Sequence, residues 1–229
     1  MPSFYDLSLL AQAVYADVPT PTGWACKELK SGSAGFQAGA YTRGGETVVA
    51  FRGTTASAGD VAADLKLGVG MNTSHFSQGE AFMDGFRKAT DLTVCGHSLG
   101  GAIAQIVGNR RQIKFATFNA PGVAVFASRN IMSADPAMLV IRAAGAAVGA
   151  LFSPMQAARD VAAAFNVAVG VNICLNADVV SQIGVHYGKV VRIPGTDFTP
   201  WSQHGIATVV QALDANRLGR LGIGDYFSA

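Results

Sequence analysis

Charge is scarce in this chain. Asp, Glu, Lys and Arg make up 14% of its 229 residues, and the formal net charge is only +2. Soluble domains usually carry about a quarter charged residues. The densest basic cluster, Arg110-Arg111-Gln112-Ile113-Lys114, lies where cations favour a helix C-terminus and has no aromatics interleaved. Nucleic acid is therefore not an expected partner. Cysteine is scarce too. Cys26, Cys95 and Cys174 are too few and too scattered for a disulfide framework or a zinc site, although one Cys26–Cys174 bridge stays open. No uncharged run reaches the roughly 20 residues of a membrane span, so no transmembrane segment is expected. The start, Met1-Pro2-Ser3-Phe4-Tyr5-Asp6, lacks a basic region before an apolar stretch. That leads us to expect no secretory signal, and either a cytoplasmic location or export by a signal-independent route.

What is abundant is apolar surface and glycine. Apolar residues reach 50%, and there are 27 glycines. The length suits one α/β domain with a substantial core. So much apolar content implies either a surface that meets lipid or a partner, or a tight, alanine-rich core.

The chain is organised around Gly96-His97-Ser98-Leu99-Gly100-Gly101. Leu92-Thr93-Val94-Cys95 before it is a run of strand formers. Ala102-Ile103-Ala104-Gln105-Ile106-Val107 after it has a helical pattern ending at Gly108-Asn109. Strand, G-x-S-x-G turn and helix in that order form a nucleophile elbow, in which a strained serine presents its hydroxyl clear of the backbone. In a glycine-rich chain the bare pattern is weak, and the flanking elements give it weight.

Along the rest of the chain, Ser3 to Asp6 reads as a capping box opening a helix that stops near Pro19. Phe36 to Thr42 and Glu46 to Phe51 read as strands joined at Gly44-Gly45. Val61, Leu65 and Val69 suggest a short amphipathic helix within Ala56 to Ser74, and Gly79 to Lys88 a further helix. Lys114 to Phe118, Asn172 to Leu175 and Gly188 to Ile193 read as strands, and Ile206 to Ala215 as a final helix. Ala137 to Val171 is dominated by Ala, Val, Leu and Phe. It reads as two apolar helices broken near Ser153-Pro154, serving as a lipid-facing cap or as ordinary core. With no repeat or clear linker, 1–229 is expected to be a single domain.

A serine hydroxyl needs a base, normally a histidine held in one tautomer by a carboxylate. In α/β-hydrolases the order along the chain is Ser, Asp or Glu, then His. Only His186 and His204 follow Ser98. His204, in a loop opening the last helix, is the better placed. His186 stands close behind Asp178 at the start of a strand, where a structural hydrogen bond suits it. Asp178, just after a strand, is the natural acid, and Asp135, Asp160 and Asp197 are rivals in worse positions. His75 and His97 precede Ser98 and read as packed, neutral imidazoles. For the oxyanion, the Leu99 N–H is one expected donor. The Gly53-Thr54 pair after an earlier strand offers a second through a backbone N–H and the Thr54 hydroxyl.

These pieces together resemble the class 3 lipase family of α/β-hydrolases, including its bacterial phospholipase A1-like members. Val48-Val49-Ala50-Phe51-Arg52-Gly53-Thr54 looks like that family's oxyanion strand, and Asp60 and Asp64 like the acidic positions beyond it. Thr93 to Ala102 is close to its elbow, and Thr117-Phe118-Asn119-Ala120-Pro121-Gly122 resembles the strand and loop that follow. Asn176-Ala177-Asp178-Val179-Val180-Ser181 resembles the acid motif, and Ser202-Gln203-His204 the base. The resemblance implies a mostly parallel central sheet flanked by helices; the apolar stretch 137–171, read above as a helical insert, has no obvious counterpart in the fungal lipases of that family. The resemblance also implies hydrolysis of lipid carboxylic esters at a membrane or lipid interface, without metal or cofactor. Ser98 would be the nucleophile, His204 the base, Asp178 its orienting acid, and Thr54 with Leu99 the oxyanion hole. A thioesterase or acyltransferase would use the same parts. A non-enzymatic, toxin-like membrane-inserting protein on a hydrolase scaffold would need none of them.

Overall fold

The computed structural model describes residues 1–15, 17–54, 73–123, 169–196, 199 and 202–228. The proposed amphipathic helix within 56–74 lies almost wholly outside them, as do most of the 137–171 insert, Asp60, Asp64 and the rival acids Asp135, Asp160 and Asp197.

Seven strands form one sheet in sequential order: β1 (Ala25–Ser31), β2 (Gln37–Arg43), β3 (Glu46–Phe51), β4 (Asp91–His97), β5 (Lys114–Phe118), β6 (Gly170–Leu175) and β7 (Lys189–Ile193). β1–β2–β3 pair antiparallel, and β3 through β7 pair parallel. β6 starts two residues earlier than its sequence pattern suggested, so Gly170 and Val171 belong to the sheet and not to the apolar insert. β1 was not legible in advance. Its residues Ala25-Cys26-Lys27-Glu28-Leu29-Lys30-Ser31 are exposed throughout, and a register shift between Cys26 and Glu28 breaks the alternation that would mark a strand. All three cysteines are free, and Cys26 is exposed on β1 while Cys174 is buried on β6. The bridge left open from the sequence is therefore not made.

Parallel neighbours need crossovers, and these are almost always right-handed. Strands added in one direction therefore send their crossover helices to one face of the sheet. α2 (Thr73–Met83) and α3 (Leu99–Arg111) lie on that face, where Phe76, Phe82, Ile103 and Val107 pack against Val49, Phe51, Val94 and Phe115. On the opposite face, among the described residues, the cover comes from segments early and late in the sequence. α1 (Phe4–Ala13), α4 (Ile206–Ala215) and α5 (Ile223–Ser228) supply it, placing Phe4, Leu7, Leu10, Val209, Leu213 and Ile223 over Val48, Ala50, Cys95, Ala116 and Phe118.

The capping box at Ser3 and Asp6 is present, with reciprocal bonds of 3.0 and 3.1 Å. α1 stops at Ala13, short of Pro19. The sheet, its two helical layers and the strand–elbow–helix unit at β4–Ser98–α3 make this an α/β-hydrolase fold.

Candidate active site

Five parallel strands running the same way bring their carboxyl ends to one edge of the sheet. β3 leads into Arg52-Gly53-Thr54, β4 into Ser98, β5 into Asn119 and β6 into the turn holding Asp178. The segment after β7 returns His204 at the mouth of α4.

Ser98 sits at φ 54°, ψ −125°, a conformation that L-residues rarely adopt. Such strain persists only where the surroundings over-determine it, and here they do. A methyl group on Gly100 would stand 2.0 Å from the Phe51 carbonyl oxygen, and one on Gly96 would stand 2.3 Å from the Gly100 oxygen. The two glycines let α3 begin directly against β3 and β4, and the turn between has one way to run. The Ser98 N–H donates to the Phe118 carbonyl oxygen at 3.1 Å, tying the turn to the end of β5 as well.

The structure brings Ser98, His204 and Asp178 into one hydrogen-bonded chain. His204 Nε2 lies 2.9 Å from Ser98 Oγ, and His204 Nδ1 lies 2.8 Å from Asp178 Oδ1. All three are buried, Asp178 completely. A carboxylate accepts only, so Nδ1 of a neutral His204 carries the proton and Nε2 is left to accept from the serine. The carboxylate is fixed from the other side by the Ser181 N–H at 2.8 Å and the Val180 N–H at 3.3 Å. These bonds follow from the turn that Asp178 opens after β6.

His186 does not reach this chain. Its Nε2 lies 2.9 Å from the Ala120 carbonyl oxygen, and burial pushes its pKa down. His75 likewise stands apart, with Nε2 3.0 Å from the Ala34 carbonyl oxygen on a partly exposed helix. The Gly53-Thr54 segment lies against the elbow. A methyl group on Gly53 would be 3.1 Å from Ser98 Cβ and 2.7 Å from the His97 carbonyl oxygen. Leu99, the first residue of α3, belongs to the turn whose N–H groups have no carbonyl one turn back. Gly53, the neighbour of Thr54, and Leu99 thus both border the serine.

Two residues that the sequence did not single out for a site role hold these parts together. Asn119, buried at the end of β5 with φ 46°, donates through Nδ2 to the Gln203 carbonyl oxygen at 2.6 Å and to the His204 carbonyl oxygen at 3.2 Å. Its Oδ1 accepts from the Leu175 N–H at 2.9 Å, so one side chain joins the ends of β5 and β6 to the base segment. Tyr15, just beyond α1, lies 3.0 Å from His97 Nδ1, and its hydroxyl accepts from the Gly53 N–H at 3.2 Å. Burial raises the Tyr15 pKa to about 12 and lowers that of His97 to about 3. Only the non-glycine identity of Asn119 at a strand end could have hinted at the first, and nothing local marks the second. Among the described residues no cluster of His, Cys, Asp or Glu could hold a metal ion, and no helix is long and apolar enough to cross a membrane.

A family model described as a phospholipase-like, Tle-like phospholipase domain matches residues 6–151. That stretch holds Thr54 and Ser98 and ends before Asp178 and His204. An extracellular phospholipase A1 of Serratia liquefaciens is 32% identical over 111 residues, which is 48% of this chain and 34% of that protein. The chain thus matches only about a third of the length of that relative. A solved structure from Acinetobacter baumannii AYE, described as that of a lipase, aligns over 94% of this chain and 95% of its own at 10% identity with a TM-score of 0.40. That likeness is too loose to carry weight.

Proposed function

The chain belongs to the Tle-like phospholipase domain family, and we propose that it is a serine hydrolase cleaving carboxylic esters of lipids, phospholipids foremost, in the manner of a class 3 lipase or phospholipase A1. The observation that carries this reading is the Ser98–His204–Asp178 chain, with links of 2.9 and 2.8 Å, at the strained serine of an elbow. A scaffold that only bound or entered membranes would have no need of it.

As Ser98 Oγ attacks the ester carbonyl carbon, its proton passes to His204 Nε2. Asp178 keeps the imidazole in the competent tautomer and stabilises the imidazolium that forms. The oxyanion of the tetrahedral intermediate is met by the Leu99 N–H and by Thr54. His204 then gives its proton to the departing alcohol oxygen, the lysolipid in the case of a phospholipid, leaving an acyl group on Ser98. Water follows the same route: His204 takes its proton, and the fatty acid leaves as Ser98 recovers its hydroxyl.

The test is hydrolysis of phosphatidylcholine vesicles carrying distinguishable acyl chains at the two glycerol positions, alongside a short p-nitrophenyl ester. Wild-type protein is expected to release the sn-1 chain and cleave the ester, and Ser98→Ala to do neither. Absence of both activities in folded wild-type protein would overturn the reading.

A further inference from the structure

The alternation of β4 sends Cys95 and His97 to the same face of the sheet, the face covered by α1. His97 therefore leaves the elbow on the side away from α3 and meets Tyr15 there. It also meets the base, since His97 Nε2 lies 2.6 Å from the His204 carbonyl oxygen and the two imidazole centroids are 4.9 Å apart.

The directions of these bonds are set by elementary valence. A carbonyl oxygen only accepts, so His97 Nε2 must carry the proton. In a neutral imidazole Nδ1 then has a lone pair and no hydrogen, so Tyr15 must donate to it. The Tyr15 oxygen is left to accept, and the Gly53 N–H supplies that bond. One unbroken series results: Gly53 N–H to Tyr15, Tyr15 O–H to His97 Nδ1, and His97 Nε2–H to the His204 carbonyl. It spans from the loop bearing Thr54, under the nucleophile, to the backbone of the base.

Resting on the hydrolase reading above, we propose that Tyr15 is a positioning residue, whose single hydroxyl fixes the Gly53-Thr54 loop and the His204 backbone in register about Ser98 by accepting from the Gly53 N–H and donating to His97 Nδ1. His97 has to stay neutral for this. A second imidazolium beside His204 would oppose the charge that His204 acquires when it takes the serine proton. Burial keeps His97 neutral throughout the range in which such an enzyme would work. The Tyr15 hydroxyl bonds to His97 and Gly53, and not to Ser98 Oγ or His204 Nε2. Its effect is on geometry, where a misplacement of about 1 Å in a catalytic group can cost roughly 10²-fold in rate.

The experiment compares Tyr15→Phe with wild type on a short p-nitrophenyl ester, with rates divided by active sites counted by titration with a serine-reactive phosphonate. Tyr15→Phe is expected to lower kcat per titrated site by about 10- to 100-fold, with KM changed less than about twofold. Tyr41→Phe removes a different buried phenol from the same core, and it is expected to leave kcat per site within about twofold. An unchanged kcat in Tyr15→Phe, or an equal fall in Tyr41→Phe, overturns the proposal. A measurement on wild-type protein covers the case in which Tyr15→Phe does not fold. Nitrogen-15 chemical shifts of His97 are expected to report the Nε2–H tautomer, and the Nδ1–H tautomer would overturn the proposal. If wild-type protein neither reacts with the phosphonate nor cleaves ester, the hydrolase reading fails by itself, and the tautomer still decides whether the series of bonds exists.

Discussion

The antiparallel flank of the sheet and its parallel half are built from the same chain to opposite ends. β1 is exposed at every residue, with Leu29 at 47%, whereas β6, five strands across, is buried at every residue. The inner parallel strands β4 to β6 are buried over most of their length, as strands inside a parallel sheet must be, while β7 at the far edge is largely exposed. The same direction of travel sends β3 to β6 to one edge, where Thr54, Ser98, Asn119 and Asp178 follow their strands. The flank widens the sheet and covers part of the core through β2, and it contributes no residue to the hydrogen-bonded chain. Where strands run parallel, their carboxyl ends collect functional groups from distant parts of the sequence, and a hairpin cannot do this.

The largest effects expected from substitution lie at the parallel edge. Ser98→Ala or His204→Ala should lower kcat on a p-nitrophenyl ester by about 10⁴- to 10⁶-fold. His186→Ala, which loses only a bond to the Ala120 carbonyl, should retain activity per folded molecule within a few-fold. An inactive His186→Ala beside an active His204→Ala would break the comparison at its centre. Thr54→Val should cost about 10²- to 10³-fold in kcat if its hydroxyl meets the oxyanion, with little change in KM.

Stability should divide along the same line. Ile173→Ala in β6 is expected to cost about 2–5 kcal/mol in urea unfolding, and Leu29→Ala in β1 less than about 0.5 kcal/mol. Similar losses at the two positions would mean that the flank is covered in solution. Ser98→Gly should abolish activity yet stabilise the fold by about 1–3 kcal/mol, because glycine adopts φ 54° freely.

A further effect concerns acid. The His97 pKa in the folded protein, about 3, lies below its ordinary value of 6.5, chiefly through burial. Between those values the unfolded chain takes up a proton that the folded chain refuses. Stability is therefore lost as pH falls below 6.5, by up to about 1.4 kcal/mol per pH unit for such a group. His186 acts in the same direction. Urea midpoints measured from pH 7 to 5 should fall, and His97→Gln should flatten the slope.

Much of the site was legible because its signals are local or ordered. The elbow announces itself through the strand before it, the helix after it and the glycines that allow the turn. Asp178 and His204 could be named because few candidates follow Ser98 and each lies just beyond a recognisable element. The helix Ile206–Ala215 was readable to its ends from its apolar stripe, although it is not the last one, since α5 follows it. β1 was not legible, since an exposed edge strand carries no burial pattern to read. Tyr15 and Asn119 could not be read either, as their partners lie 82 and 84 residues away along the chain.

By itself, the sequence determined the strained serine, the order of its candidate partners and the alternation that faces each strand to one layer or the other. These depend on neighbours within a few residues, where sterics and side-chain periodicity act directly. Only the tertiary structure decided which histidine meets Ser98, and that His97 turns its ring toward α1. It also decided that the end of α1 reaches beneath the loop bearing Thr54. Those outcomes depend on how one sheet face is covered by segments early and late in the sequence, and no short stretch of residues contains that information.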